Sequence, residues 1–381
     1  MPAIRPEKWP SFLKARGVRI GIAHGTIVSR DAIGHDIFGM QAVLARCGFE
    51  VCLIGDQFGP DLPPAIETLS VGDAIARRDL DLLIYHHSIW WERGEILLRA
   101  LPARRLLKYH NVTPPEFFED YSTHYASLCR DGRAQTRRLV QLFRREDGFA
   151  ADSAYNAAEL QEAGAEGVFV VPPFTGVTAG SSLARTLPAA PYQALFVGRL
   201  SPNKGHFALL NTIAAFVASH GPDIRLRIVG GSDSELEAYR TELEDQIDRL
   251  ELGAQVELTG PVDGVTLHRH FAEASVYLCL SEHEGFCVPV IEAQAIGLPL
   301  VSVDTAALGE TIGPGQLVVK PPQSRADYLH IARLVHSVCT TPLLRQSVIR
   351  AGYRNFLTRF TPPIAADRFM AALAPLLEPR A

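Results

Sequence analysis

Short apolar runs alternate with amphipathic helical patterns along this whole chain, and few folds accept that order. In the first half the candidate strands are Val18–Ala23, Glu50–Ile54, Leu82–Tyr85, Leu106–Tyr109, Phe149–Ala151 and Val168–Val171. The second half repeats the pattern at Ala194–Val197, Leu226–Val229, Val256–Leu258, Val276–Leu280, Leu300–Val303 and Leu317–Val319. Between strands lie helical stretches such as Ile33 to Arg46, where Ile37, Met40, Leu44 and Cys47 share a face and Gly48 ends the helix. Strands that alternate with helices build parallel sheets covered on both faces. A Pro- and Gly-rich stretch from Pro172, with a second Pro-rich patch at Leu187–Pro191, separates the two repeats. The expectation is an α/β chain of two doubly wound, Rossmann-like domains that face each other across a cleft lined by strand C-terminal ends. Their bounds are residues 1–172 and 192–361, with a linker at 173–191 and a last helical stretch within 362–381.

The chemistry concentrates in two strand–turn–helix junctions of the second half. In Ser281-Glu-His-Glu-Gly-Phe-Cys-Val-Pro-Val-Ile-Glu292, the strand Val276–Leu280 leads through a glycine turn into a helix with Pro289 in its first turn. Backbone N–H groups at such a helix start suit a phosphate, and Gly285 allows close approach of a ligand. Glu284 and Glu292, with seven residues between them, can look toward one crevice. Carboxylates there suit a ligand rich in hydroxyls. Two solvated glutamates around an ordinary turn are the alternative that spacing alone leaves open. The second junction follows Ala194–Val197 and reads Gly198-Arg199-Leu-Ser-Pro-Asn-Lys204-Gly205 before a helical pattern from His206. Arg199 and Lys204 near a helix N-terminus could clamp a diphosphate, one as a planar fork and the other as a point charge. Two such turns in one α/β domain are harder to dismiss as surface charge.

Together these motifs resemble the donor-binding half of retaining glycosyltransferases of family four, which have the two-domain GT-B fold. The resemblance covers roughly Pro191 to Val319 well. Lys108-Tyr-His-Asn-Val-Thr-Pro-Pro-Glu-Phe-Phe118 and Asp31-Ala-Ile-Gly-His-Asp36 resemble a subgroup that builds bacterial exopolysaccharide and lipopolysaccharide, many of them mannosyltransferases. The sequence departs from the family pattern at Cys287 and Val288, at Leu308-Gly-Glu310, and near the N-terminus, where the usual glycine pair is reduced to Gly34. The resemblance makes the first domain the acceptor side and the second the nucleotide-sugar side, with the C-terminal helix crossing back to the first. It implies catalytic roles for His110 and Glu284 beside the transferred sugar. Donor binding falls to Gly34, Arg199, Lys204, Gly285, Phe286, Cys287 and Glu292, the last holding ribose hydroxyls. The implied reaction is hexosyl transfer, with mannose from GDP-mannose the preferred donor and a polyprenyl-diphosphate-linked oligosaccharide the preferred acceptor.

Composition excludes several classes. A hydrophobic content of 47% describes a globular chain, and a net charge of −5 gives no general footprint for nucleic acid. The six cysteines form no CxxC pair and read as reduced, mostly buried thiols. No apolar run approaches the ~18 residues of a membrane span, and Met1-Pro-Ala-Ile-Arg5 lacks the apolar core of a signal peptide. A cytoplasmic protein is expected; the arginine-rich segment 130–145 reads either as a solvated helix face or as a surface for peripheral contact with the inner membrane. No GxGxxG follows the first strand, Asp79-Leu-Asp81 precedes a strand where a metal-binding pair should follow one, and no HxxxH occurs. Neither a metal nor another cofactor is expected. Three other readings stand beside glucosyl transfer from a UDP-sugar: a nucleotide-sugar epimerase, a phosphorylase, and a non-catalytic donor-binding subunit of a polysaccharide assembly complex.

Overall fold

The computed structural model describes residues 17–29, 31–60, 62, 65–177 and 186–378, so part of the expected linker, 178–185, lies outside the described residues. The chain forms two compact α/β units. The first comprises Met1–Pro114, Ser127–Gly176 and Phe360–Ala381, and the second Pro115–Ala126 and Val177–Arg359.

The strands of the first unit are β1 (Arg19–Ala23), β2 (Thr26–Ile27), β3 (Glu50–Ile54), β4 (Gln57–Phe58), β5 (Glu67–Leu69), β6 (Leu82–His87), β7 (Arg104–Tyr109), β8 (Gly148–Ala151) and β9 (Phe169–Val170). Seven of them make one parallel sheet in the order β5-β3-β1-β6-β7-β8-β9, while β2 and β4 pair separately. The order reverses between β1 and β6, so the loops after these two strands diverge and leave a crevice at their C-terminal ends. The Ala32–Arg46 helix packs Ile37, Met40, Val43 and Leu44 into a core shared with Ile20, Ile22, Leu53 and Ile84. The Pro362–Leu377 helix adds Ala366, Phe369, Met370 and Leu373 to that same core. These apolar contacts explain why the last stretch of the chain groups with the first unit.

In the second unit β10 (Tyr192–Val197), β11 (Ile224–Val229), β12 (Val256–Gly260), β13 (Val276–Cys279), β14 (Leu300–Val303) and β15 (Leu317–Val319) form a parallel sheet ordered β12-β11-β10-β13-β14-β15. Here the order reverses between β10 and β13. Nearly every residue of β13 and β14 is buried, as strands covered on both faces must be. Residues Pro115–Ala126 group with this unit through aromatic and polar contacts. The Tyr121 hydroxyl donates to Glu242 at 2.9 Å, Tyr125 to Asp233 at 2.6 Å, and Phe117 lies beside His283.

Candidate active site

The two junctions singled out by sequence leave from β10 and β13, the adjacent strands at the reversal point of the second unit. That is where an open parallel sheet receives a ligand. After β10 the chain makes a single 3-10 turn, Pro202–Lys204, and enters the His206–His220 helix through Gly205. Gly205 has φ +67°, and a Cβ built there would stand 2.0 Å from the Leu280 carbonyl oxygen. No other residue lets the first loop cross so close to the end of β13. The loops are then stitched together. Asn203 accepts from Glu282 and His283 backbone N–H at its carbonyl and donates its side-chain amide to the His283 carbonyl at 3.1 Å.

This crossing brings Lys204 onto Glu284. The Lys204 ammonium donates to both carboxylate oxygens at 2.9 Å, with side-chain exposures of 20% and 9%. Burial disfavours the Lys204 charge, yet the Glu284 carboxylate more than offsets it and holds the ammonium above its ordinary range. Sequence reasoning gave these residues separate ligand groups; the structure makes them one ion pair. Arg199 is exposed and, among the described residues, makes no hydrogen bond or ion pair. Phe286 and Cys287 are buried, so what they offer a ligand is backbone. Cys287 itself adopts the left-handed region at φ 76° and caps the Val288–Ala295 helix. Glu292 lies in that helix and keeps some exposed surface, and its carboxyl has no hydrogen-bonding partner among the described residues. Loss of hydration pushes its carboxyl up to about 7. A carboxyl held that way is poised to accept hydroxyl donors, which favour its ionised form.

His110 and Gly34 belong to the first unit. Gly34 sits in the first turn of the Ala32–Arg46 helix, capped by Asp31, and a Cβ there would lie 1.6 Å from the Val28 carbonyl oxygen. Its role in the fold is therefore close packing of the loop after β1. His110 follows β7 and is almost fully enclosed. Its Nδ1 meets Asp152 Oδ2 at 2.9 Å, and its Nε2 meets His86 Nδ1 at 2.8 Å. Burial first, and neighbouring positive groups second, push His86 well below the usual imidazole range, so His86 is neutral. One proton lies between His86 Nδ1 and His110 Nε2, carried by whichever ring donates, while His110 Nδ1–H donates to the Asp152 carboxylate. Both His110 nitrogens are engaged, so a substrate hydroxyl must displace His86 to reach Nε2.

Around this pair lies a network that sequence reasoning missed. Lys108, fully buried, donates to Asp152 and to the Val171 carbonyl. Asp36 accepts from Phe174 N–H at 2.8 Å and stands 3.9 Å from Lys108 Nζ and 3.8 Å from His110 Nε2. Burial raises the Asp36 carboxyl to about 6 in spite of Lys108 and His110. Asp152 is held below its ordinary range because His110 and Lys108 outweigh its burial. The available signals were Lys108 inside an apolar run and Asp36 on the apolar face of its helix. Asp36, His86 and His110 form one of two clusters of metal-ligating side chains among the described residues; the other is Cys279, Glu284 and Cys287. The first cluster offers a dication only one carboxylate, already 3.9 Å from the Lys108 ammonium, and two imidazoles that add no negative charge, so it is an ion-pair network rather than a cation cage.

Asp79 and Asp81 both serve Arg19, the first at 3.3 Å and the second through the Arg19 backbone N–H at 2.8 Å. Trp91 stacks on Tyr85 and donates its indole N–H to Asp56. In the arginine-rich segment Arg133 pairs with Glu159, Arg138 with Glu95 and Arg144 with Glu146. Three of the charges expected to face a membrane are thus neutralised locally. No described helix is long and apolar enough to cross a membrane.

Residues 184–355 match the family model described as "Glycosyl transferases group 1". A D-inositol 3-phosphate glycosyltransferase of Streptomyces scabiei is 31% identical over 192 residues, 46% of this chain and 43% of that relative. A GDP-mannose-dependent alpha-mannosyltransferase of Mycobacterium tuberculosis is 31% identical over 178 residues, 45% of this chain and 40% of the relative. The match spans less than half the length of each of these relatives. Among solved structures, Anabaena Alr3699/HepE in complex with UDP and glucose superposes with a TM-score of 0.72 at 16% identity, over 94% of this chain and 99% of that one. WaaG, a glycosyltransferase involved in lipopolysaccharide biosynthesis, gives 0.69 at 14% identity over 93% and 99%. At these identities the likeness shows the fold, two parallel α/β units of the GT-B type.

Proposed function

We propose that this chain, a member of the group 1 glycosyl transferases with the GT-B fold, moves a sugar from a nucleotide diphosphate donor to an acceptor hydroxyl with retention of anomeric configuration. The observation that carries the reading is the Lys204–Glu284 pair, formed where the loops after β10 and β13 leave the reversal point of one sheet, with Arg199 on the first loop and Glu292 in the helix that follows the second. Arg199 and Lys204 stabilise negative charge that grows on the diphosphate as the sugar leaves. Glu292 accepts from the ribose hydroxyls, and the turn at Gly285, Phe286 and Cys287 offers backbone to the donor. Glu284 orients Lys204 and accepts from the sugar's hydroxyls. His110, anchored on Asp152, exchanges its bond with His86 for one to the sugar. No side chain is placed as a covalent nucleophile; a leaving phosphate oxygen takes the acceptor proton on the face it departs from.

Mannose from GDP-mannose is the preferred donor, supported by the motif Lys108 to Phe118 and by the mannosyltransferase among the relatives. A UDP-sugar is the second reading, favoured by the likeness to a protein solved with UDP and glucose. The preferred acceptor is a polyprenyl-diphosphate-linked oligosaccharide on the cytoplasmic face of the inner membrane, for which the same motif is the support. The test is release of nucleoside diphosphate from GDP-mannose, UDP-glucose and UDP-N-acetylglucosamine, without acceptor and then with lipid-linked acceptors. GDP release from GDP-mannose, accelerated by acceptor, is expected. UDP release alone selects the second donor. Donor interconversion without acceptor, a requirement for inorganic phosphate, or binding without turnover would each reject transfer, in favour of an epimerase, a phosphorylase or a donor-binding subunit.

A further inference from the structure

We infer that Cys279, Cys287 and Glu284 form a binding site for one soft divalent cation, of the zinc or cadmium class, behind the loop after β13. The cysteines are far too widely spaced for a CxxC motif, but strand, turn and helix start fold them back on one another. Their sulfurs stand 4.0 Å apart. One sulfur from each and a carboxylate oxygen of Glu284 all lie within 4.8 Å of one another, and all three residues are buried. In a tetrahedral site with metal–sulfur bonds of ~2.3 Å, two thiolates sit roughly 3.8 Å apart. The observed separation needs almost no adjustment. A disulfide, by contrast, requires the sulfurs at about 2.0 Å and so a shift of roughly 2 Å within a packed interior.

The charges also close. Two thiolates balance the cation, and Glu284 still balances Lys204, so the buried cluster stays neutral. Each Glu284 oxygen has a second lone pair beyond the one given to Lys204, which leaves the carboxylate able to bridge ammonium and metal. Three protein ligands leave a fourth position for solvent. Binding displaces the protons now shared between the two thiols, so affinity rises with pH. Bound metal engages the same Glu284 that the proposed function gives to the sugar. Inhibition of transfer is then a consequence that rests on that reading, whereas the site itself does not.

Cadmium titration of the full chain in a phosphine-reduced buffer tests the site without any substrate, so its failure and the failure of the transferase reading are distinguishable. One equivalent of Cd²⁺ should bring up the ultraviolet sulfur-to-cadmium charge-transfer band. Cys279→Ser and Cys287→Ser should each weaken binding by at least about 100-fold, since changes in outer-shell groups alone cost roughly 10–100-fold. Cys129→Ser and Cys339→Ser should leave the band intact. Should Cys287→Ser fail to fold, zinc-edge X-ray absorption on the unaltered chain reads the ligands directly, with two sulfurs expected beside oxygen. A band that survives Cys279→Ser, no band at one equivalent, or a zinc shell without sulfur would overturn the proposal.

Discussion

Replacing Lys204 by Met and Glu284 by Gln, singly and together, tests whether these residues act as one unit. The pair is bidentate at 2.9 Å and its side chains are only 20% and 9% exposed. An exposed ion pair would contribute at most about 1 kcal/mol. Here the larger effect is the group left behind: Lys204→Met strands a mostly buried carboxylate, which costs about 2–3 kcal/mol, below the 3–5 kcal/mol of a fully enclosed pair. Glu284→Gln keeps one acceptor for the ammonium and should cost about 1–2 kcal/mol. In the double variant neither charge is stranded, so a coupling energy of about 1–2 kcal/mol is expected. For a unit of this size 1 kcal/mol moves the melting temperature by about 2–4 °C. Lys204→Met should therefore melt several degrees low, and the double variant should melt no lower than it. Calorimetry of the four proteins decides the matter. Melting shifts that simply add would show that the pair is not an energetic unit, and the shared role proposed for it would fall.

Glu292, with its carboxyl near pH 7, is mostly protonated at pH 6; ribose hydroxyls favour the ionised form, so nucleotide binding should release up to one proton there and tighten as pH rises toward 7. Titration calorimetry in buffers of different ionisation enthalpy measures this, Glu292→Gln should abolish it, and proton uptake would reverse the assignment. Asp152→Asn leaves buried Lys108 short of its charge partner and weakens the acceptor that His110 donates to, and should cost about 3–5 kcal/mol by denaturant unfolding, where a loss under 1 kcal/mol would deny the network its structural weight. Gly34→Ala, which forces a methyl onto the Val28 carbonyl, should cost at least about 2 kcal/mol; a normal melting curve would mean that the loop after β1 yields freely. Exhaustive chelation should leave turnover intact, because Arg199 and Lys204 supply the cationic charge, and recovery of lost turnover only on adding Mg²⁺ or Mn²⁺ would contradict that role.

Most of the longer strands were legible, because parallel strands buried on both faces read as uninterrupted apolar runs; Glu50–Ile54 and Leu300–Val303 coincide with their sequence bounds, as does the short, part-exposed edge strand Leu317–Val319. The short β2, β4 and β5 carry too few apolar residues to stand out. Arg199, Lys204 and Glu284 were legible as candidates because each sits at a strand-to-helix turn, and Glu292 because it follows one by about a helical turn. The Lys204–Glu284 pairing was not, since it depends on β10 lying beside β13, a fact of strand order rather than of local sequence. The Asp36, His86, Lys108 and Asp152 network eluded reading for the same reason. Its members come from one helix, the strands β6 and β7, and the end of β8, and only the sheet order joins them. The arginine-rich segment shows the same limit: its basic residues are adjacent in sequence, while the glutamates that pair with Arg133 and Arg138 are not.

The central claim, a diphosphate held by the loops after β10 and β13, is tested most directly by the affinity of nucleosides, nucleoside monophosphates and nucleoside diphosphates, measured by calorimetry on the unaltered chain and on Arg199→Ala/Lys204→Ala. The account predicts one site per chain, tightest for the diphosphate, and a loss of at least about 10²-fold in the double variant, about 3 kcal/mol for two charge-assisted contacts. Equal affinity for nucleoside and diphosphate, or a double variant that binds as tightly as the parent, would contradict it.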